Sequence, residues 1–470
     1  LPCGAPFGDF VAVSFRNRCA TLYKETALGV DNSSAILNLN GAFTGAGNFV
    51  VDGNGIVRPG SAKFFSYTGN TVVKSGTLQL EYIKKMTAKS HVYLGEEGNT
   101  SPKLVMAGGN FVTKSSNDQY LNYEFPIEVL ENTYSTFTIQ RNCSLKCKVT
   151  GSGTLEYKIP FVREYVSGDW SGFYGTLVAN GVNSDKDGSQ LMLYNSGIPN
   201  ASINLKGNAR VTHWNPNVTI KLGGLSGDKG TYLGGTTKKT TGQTVTWQVG
   251  NANTNETFNG VIDRRCSASG YNCNVNIVKE GSGYWRLTGS NTYNGTTIVT
   301  GGRLIIDGSN QGTGLMTIKE NGSLSGKGTI AGNVVVSGSV QADLSASGSC
   351  KPLTIKGKLT ANNATLVINM ENVTGTIADD TEIKVFNLAS AIQGTGFTDI
   401  QPATPSATQL WDTSLLATKG IIKVVSNVAN GISTPSADNS SSSAIYDLTG
   451  KKTSSPKGLY LKAGKQHIAR

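Results

Sequence analysis

The sequence predicts an all-β chain folded as a right-handed parallel β-helix, a β-solenoid, with a small β tail at its C-terminus. Three observations carry that prediction. A glycine followed two residues later by an aliphatic keeps returning, as Gly302-Arg303-Leu304, Gly322-Ser323-Leu324, Gly338-Ser339-Val340 and Gly357-Lys358-Leu359. The steps between those glycines are 20, 16 and 19 residues, and a period near ~20 built from short β-type runs marks stacked coils. The composition agrees: 58 of 470 residues are glycine, and only 16% are charged against a usual ~25%. Small polar residues then fill the space between aliphatic pairs, as the outer faces of coils require. Finally, strand-type alternation is clean where it can be checked. In 365–370, Leu366, Ile368 and Met370 share one face and Val367 and Asn369 the other, and no stretch shows a convincing amphipathic helix.

Taken in order, residues 1–36 form an N-terminal cap or the remnant of an upstream region, since 1–30 carry no coil pattern. The β-helix is expected over 37–430. It opens with Leu37-Asn38-Leu39 and continues through short runs ended by turn residues, such as Phe49-Val50-Val51 and Thr71-Val72-Val73. Residues 83–150 keep the strands but lengthen the connections. Residues 160–255 hold most of the tryptophans and loop-like inserts, and a second clear repeat block runs from 257 to about 370. At ~20 residues per coil the chain has room for about 20 coils and a rod on the order of 100 Å, its ends covered by the first thirty residues and by 390–430. The run 431–443, which contains Ser433–Ser443 (STPSADNSSSS), is a flexible linker by composition, and 444–470 is a separate β tail.

A net charge of +11 favours anionic partners. The basic residues are scattered doublets, such as Lys84-Lys85 and Arg264-Arg265, with no nucleic-acid motif, so the prediction is a basic solvated exterior facing acidic glycans or cell surfaces. No apolar run reaches the ~20 residues of a membrane span. The chain lacks an initial Met and a targeting pattern, which reads as a mature or trimmed product. Seven cysteines define no disulfide framework. Cys266 and Cys273, bracketing a turn-rich insert, are the local disulfide candidate, which would fit an oxidising compartment.

Chemistry is sparse. The three histidines, His91, His213 and His467, sit in no metal or triad spacing, so neither a zinc site nor a Ser/His hydrolase is expected, and no metal or cofactor is assigned. Asp185-Lys186-Asp187-Gly188 has oxygens for Ca²⁺ but also fits an ordinary turn. Glu124, Glu128 and Glu131 are near in sequence as a hydrolase pair would need, with nothing to make them converge. A lyase would need a cationic or phenolic base beside its acidic sugar. Lys158, Arg163 and Tyr165, near Glu156 and Asp169, are the candidates for that role, against the plainer reading of ordinary charges on an outward strand. Aromatic side chains are the better lead. Trp170, Tyr174 and Trp214 are the candidate ligand-binding residues, able to stack on sugar rings, unless they fill coil corners.

Residues 258–262 (FNGVI), 278–297 (VKEGSGYWRLTGSNTYNGTT) and 301–304 (GGRL) resemble the autotransporter-associated β-strand repeat of passenger domains, and a weaker copy covers about 43–80. The resemblance implies the β-helix and a surface-exposed passenger architecture, and it contains no reactive group. No membrane-barrel segment follows, which predicts that the chain is not a self-translocating autotransporter. Ile445–Lys452 and Lys457–Leu461 instead resemble the terminal segments of Bacteroidetes secreted proteins, which implies export from a Gram-negative cell. The expectation is a secreted or cell-surface adhesin or scaffold, leaning away from an enzyme, with a polysaccharide or cell-surface glycan as partner. The alternatives are a polysaccharide lyase on an acidic glycan and a self-associating filament subunit.

Overall fold

A computed structural model describes residues 12–15, 20–60, 65–80, 91–92, 94, 102–113, 122–139, 144–184, 188–194, 197–236, 243–265, 273–427, 445–447, 452–453, 458–462 and 465–469. The main unit, through 406 and again over 410–425, is a parallel β-solenoid. Each coil places one strand on each of three faces. The coil at 284–299 shows the plan: Tyr284–Leu287 lies on the first face, Ser290–Asn291 on the second and Thr297–Val299 on the third. The next coil repeats it with Gly302–Ile306, Ser309–Asn310 and Met316–Ile318, every strand parallel to the one before.

Alternation puts every second side chain inside, and parallel register stacks like on like. On the first face one interior row runs Val57, Leu78, Phe111, Phe137, Tyr157. The rings of Phe111 and Phe137 are stacked at 4.8 Å. Farther along, Trp285, Leu304, Leu324, Val340 and Leu366 continue the core. All are essentially buried. Each coil is thus held by its neighbours, the energetics expected of a solenoid.

The coils are not uniform. Register partners are 16 residues apart at Ser323 and Ser339, 26 at Ser339 and Thr365, and 34 at Thr365 and Asp399. A fixed ~20-residue repeat is therefore the wrong ruler, and the chain makes fewer coils than the about 20 it implied. The glycine series explains the error. Gly302 and Gly322 are register partners that open first-face strands, and Gly338 stands just ahead of the next. Gly302 has φ 59°, and a Cβ there would meet the carbonyl of Gly283 at 2.4 Å. Gly357 belongs to another corner. It precedes Leu359–Ala361, a third-face strand that pairs with Val334–Val336, and it packs on Gly332.

The ladder also starts earlier than residue 37, since Ala12–Phe15 already pairs in parallel with Ile36–Leu39. At the other end the parallel pairing reaches Gln401. There Glu382, Ile383 and Lys384 pair antiparallel with Lys423, Ile422 and Ile421. The single turn of helix Leu416–Lys419 closes with Gly420 in the left-handed region at φ 68°, and the Gly420 carbonyl accepts from Phe386 N at 3.1 Å. That segment supplies antiparallel pairing at the end, as edge protection requires. The second unit contains a four-stranded antiparallel sheet of Ile445–Asp447, Lys452–Thr453, Gly458–Lys462 and Lys465–Ala469. The expected linker 431–443 lies outside the described residues. Among the described residues no helix is long and apolar enough to cross a membrane.

Candidate functional site

The corner between the third and first faces carries the most distinctive surface. In most coils it is a tight glycine turn. Strands Gly197–Gly207 and Val218–Gly227 instead run straight through it, with a register shift between Ile198 and Ser202. The second of these strands places Gly223 and Gly224 at the corner, and the missing side chains open a notch. A Cβ on Gly224 would lie 2.7 Å from Ser202 Oγ and 2.8 Å from both Glu256 Oε1 and Thr254 Oγ1.

Side chains from the coils on either side close over that notch. Ser202 Oγ donates to Glu256 Oε1 at 2.5 Å, and Thr254 Oγ1 donates to the same oxygen at 2.9 Å. Asn251 Nδ2 donates to the Pro199 carbonyl at 3.1 Å and to Asn200 Oδ1 at 2.9 Å. Asn200 Nδ2 in turn holds the Ser171 carbonyl at 2.8 Å. The result is a cleft of about 440 Å³ lined by Tyr174, Thr176, Asn200, Ser202, Asn251 and Thr254, with Ser152 at its rim. Tyr174, 66% exposed, stands beside it, its N–H fixed on the Gly151 carbonyl at 2.8 Å.

The other sequence candidates are dispersed. Trp170 is 1% exposed and packs edge-on against Phe173 at 5.8 Å. It fills the core and has no face for a ligand, so it drops out of the expected binding set. Trp214 is half-buried on the second face. It stacks on Tyr194 at 5.6 Å, with Tyr165 edge-on to both. Tyr165 is thereby committed to an aromatic cluster that the sequence reading did not assemble, because Tyr194 lies one coil away. Lys158 is on a first-face strand, whereas Arg163 and Tyr165 lie on the second face past the corner at 160–162. The lyase constellation is therefore split between faces.

The nearby acids serve the fold. Glu156 accepts from Tyr134 Oη at 3.0 Å and Asn180 Nδ2 at 2.6 Å. Partial burial, and then this carboxylate, push the Tyr134 phenol up to about 12. Hydrogen bonds from the Ser171 hydroxyl and N–H hold the Asp169 carboxyl below its usual range. Glu128 pairs with Lys103 at 3.0 Å, and Glu131 is exposed at a turn. His213 is buried, its Nδ1 bonded by the Asn215 N–H at 2.9 Å.

Cys266 and Asp185–Asp187 lie outside the described residues. Cys273 is buried, with its Sγ 3.4 Å from the Thr236 N–H. Among the described residues no three His, Cys, Asp or Glu side chains converge as metal ligands would.

The residues that sequence reasoning missed are Asn200, Asn251 and Thr254. The signal was the Gly223-Gly224 pair inside a strand-type run, which marks close approach by a neighbour.

Two segments of the chain, 61–80 and 277–306, match the passenger-associated-transport-repeat family. Over 61 residues, 13% of the chain, it is 48% identical to the adhesin BmaC autotransporter of Brucella suis biovar 1 (strain 1330). Over 109 residues, 22% of the chain, it is 37% identical to the uncharacterized protein YuaQ of Escherichia coli (strain K12). The matched parts span only 2% and 7% of those two relatives. The matches thus place passenger-type repeats in two segments of the three-faced stack of coils.

Proposed function

We propose that the chain is a cell-surface adhesin-type scaffold that holds glycan chains on side chains mounted along its solenoid. The observation that carries the reading is the combination of passenger-type repeats with an outward cleft of hydroxyl and amide groups beside an exposed tyrosine. The repeats supply a stiff body without reactive groups. The cleft supplies the hydrogen-bonding and ring-stacking groups that sugars require. The adhesin name belongs to the Brucella relative and supports the reading only over the short matched segment. Location outside a Gram-negative cell, and export guided by the tail at 444–470, are parts of the same proposal.

The test is display of the full chain on a non-adherent bacterium, with adherence scored on glycan-coated wells. Adherence should rise with display and disappear when the glycan is first oxidised with periodate, which destroys vicinal diols. Adherence that does not rise, or that ignores periodate, contradicts the reading.

A further inference from the structure

The geometry points to the cleft beside Tyr174 as a subsite for an uncharged pyranose. This deepens the glycan-binding reading and rests on it. It departs from the acidic partner that the net charge of +11 suggested, because the charge of the whole chain is not the charge of this site.

Three features fix the class of ligand. The lining residues are hydroxyl, amide, glycine, alanine and tyrosine, with no lysine, arginine, aspartate or glutamate among them. Recognition of a uronate or sulfate would need a cation here. Behind the lining stands the Glu256 carboxylate, holding Ser202 and Thr254 by their hydroxyls. An anionic guest would meet like charge with nothing in the cleft to offset it. Among the described residues, Ser152 Oγ, Thr176 Oγ1 and Asn251 Oδ1 have no hydrogen-bond partner within the protein. They provide two hydroxyls that both donate and accept and one carbonyl that accepts, the set that matches sugar hydroxyls. The Tyr174 ring beside them is available for the C–H face of the sugar. The cleft volume of about 440 Å³ falls in the range of small-ligand sites.

Pre-organisation separates this cleft from an ordinary polar surface. The bonds from Ser202 to Glu256 and from Asn251 to Asn200 both span the coil that holds Gly224, and a Cβ on that residue would collide with the groups of the first. Asn200, Ser202, Asn251 and Thr254 are therefore held in place before any ligand arrives, which lowers the ordering cost of binding.

The experiment uses the full chain on immobilised mannan, laminarin, galactan and chitin oligosaccharides as neutral probes. Heparin, polygalacturonate and polysialic acid serve as acidic probes, all at low and high salt. The expected result is retention on at least one neutral probe that survives high salt. Tyr174→Ala should weaken that retention by about tenfold, Tyr174→Trp should preserve it, and Trp214→Ala on the second face should leave it unchanged. Asn251→Asp, which places a charge in the cleft without removing the ring, should also weaken it. Retention on acidic probes alone, eluted by salt, would overturn this subsite while leaving the glycan-binding reading intact. Neutral retention indifferent to both Tyr174→Ala and Asn251→Asp would likewise overturn the subsite alone. No retention on any probe would overturn both.

Discussion

Lys279 occupies a core position, with Val249 and Val299 as its partners in the coils before and after. Its residue is 1% exposed, and its Nζ donates to the carbonyls of Glu280 at 2.6 Å and of Gly281 and Gly301 at 3.2 Å. Burial lowers its pKa from the usual 10.5 to about 8, while nearby Glu280 pulls weakly the other way. A depressed lysine pKa means that the unfolded chain binds more protons than the native one between those two values. Stability contributed by this group therefore rises with pH from about 8 to 10.5 and is flat below that window. In chemical unfolding, the wild type should gain on Lys279→Met across the window, since both variants share every other lysine. A difference that stays level with pH would contradict this placement.

The alternation Val275, Ile277, Lys279 already put that lysine on the inward phase, so its position was legible in the sequence. What sequence alone could not supply was the trio of corner carbonyls that makes an inward ammonium tolerable, because they come from two different coils. His213, in phase with Val211, is a second inward polar residue satisfied locally. Trp170 failed the other way. A tryptophan in a loop-rich stretch can serve as a ligand platform or fill a coil corner, and the packing against Phe173 decides for the core.

At the scale of the element, the repeat is a set of corner devices. Both segments that match the passenger repeat contain a Tyr-x-Gly-x-Thr run, Tyr67 to Thr71 and Tyr293 to Thr297. In each, the buried phenol shares a hydrogen bond with the threonine hydroxyl across the corner between the second and third faces, at 2.5 Å and 2.7 Å. The glycine in between lies against the previous coil, where a Cβ would meet the carbonyl of Gly47 or of Val275. Asn310 adds a third member to the second clamp, its Nδ2 donating to Tyr293 Oη at 3.0 Å. Burial pushes the Tyr293 phenol up to about 12. Tyr293→Phe leaves two buried polar groups short of a partner and should cost about 1–3 kcal/mol, read as a shifted denaturation midpoint. A change within a few tenths of a kcal/mol would mean that the phenol is not part of the clamp.

These clamps also show how far the sequence reading of elements reached. Glycine and aliphatic spacing announced strands and corners correctly, because sterics at a corner and burial on a strand leave direct marks on residue type. The same marks do not say which of three corners a glycine turns. Gly357 therefore passed for the next coil although it turns a different corner from Gly338.

For the whole molecule, irregular coils are what give a repeat scaffold a local surface. Register steps of 16, 26 and 34 residues let connections lengthen at some corners and vanish at others. Strands that pass straight through a corner at 197–207 and 218–227 place the Gly223-Gly224 notch between polar neighbours. The candidate cleft is a departure from the repeat, carried by the repeat. Composition could reveal neither the notch nor its lining, since residues about fifty positions apart meet there only through stacking.

The stacking register is thus the claim on which both the core and the cleft depend, and cysteine trapping tests it directly. Parallel register partners place their Cα atoms about 5 Å apart, within disulfide reach. The pair Ser339→Cys with Thr365→Cys should cross-link under mild oxidation, identified by mass spectrometry of the linked peptide. The pair Ser339→Cys with Lys358→Cys, which a uniform repeat of 19 residues would bring together, should not. Trapping of the second pair and not the first would contradict the account.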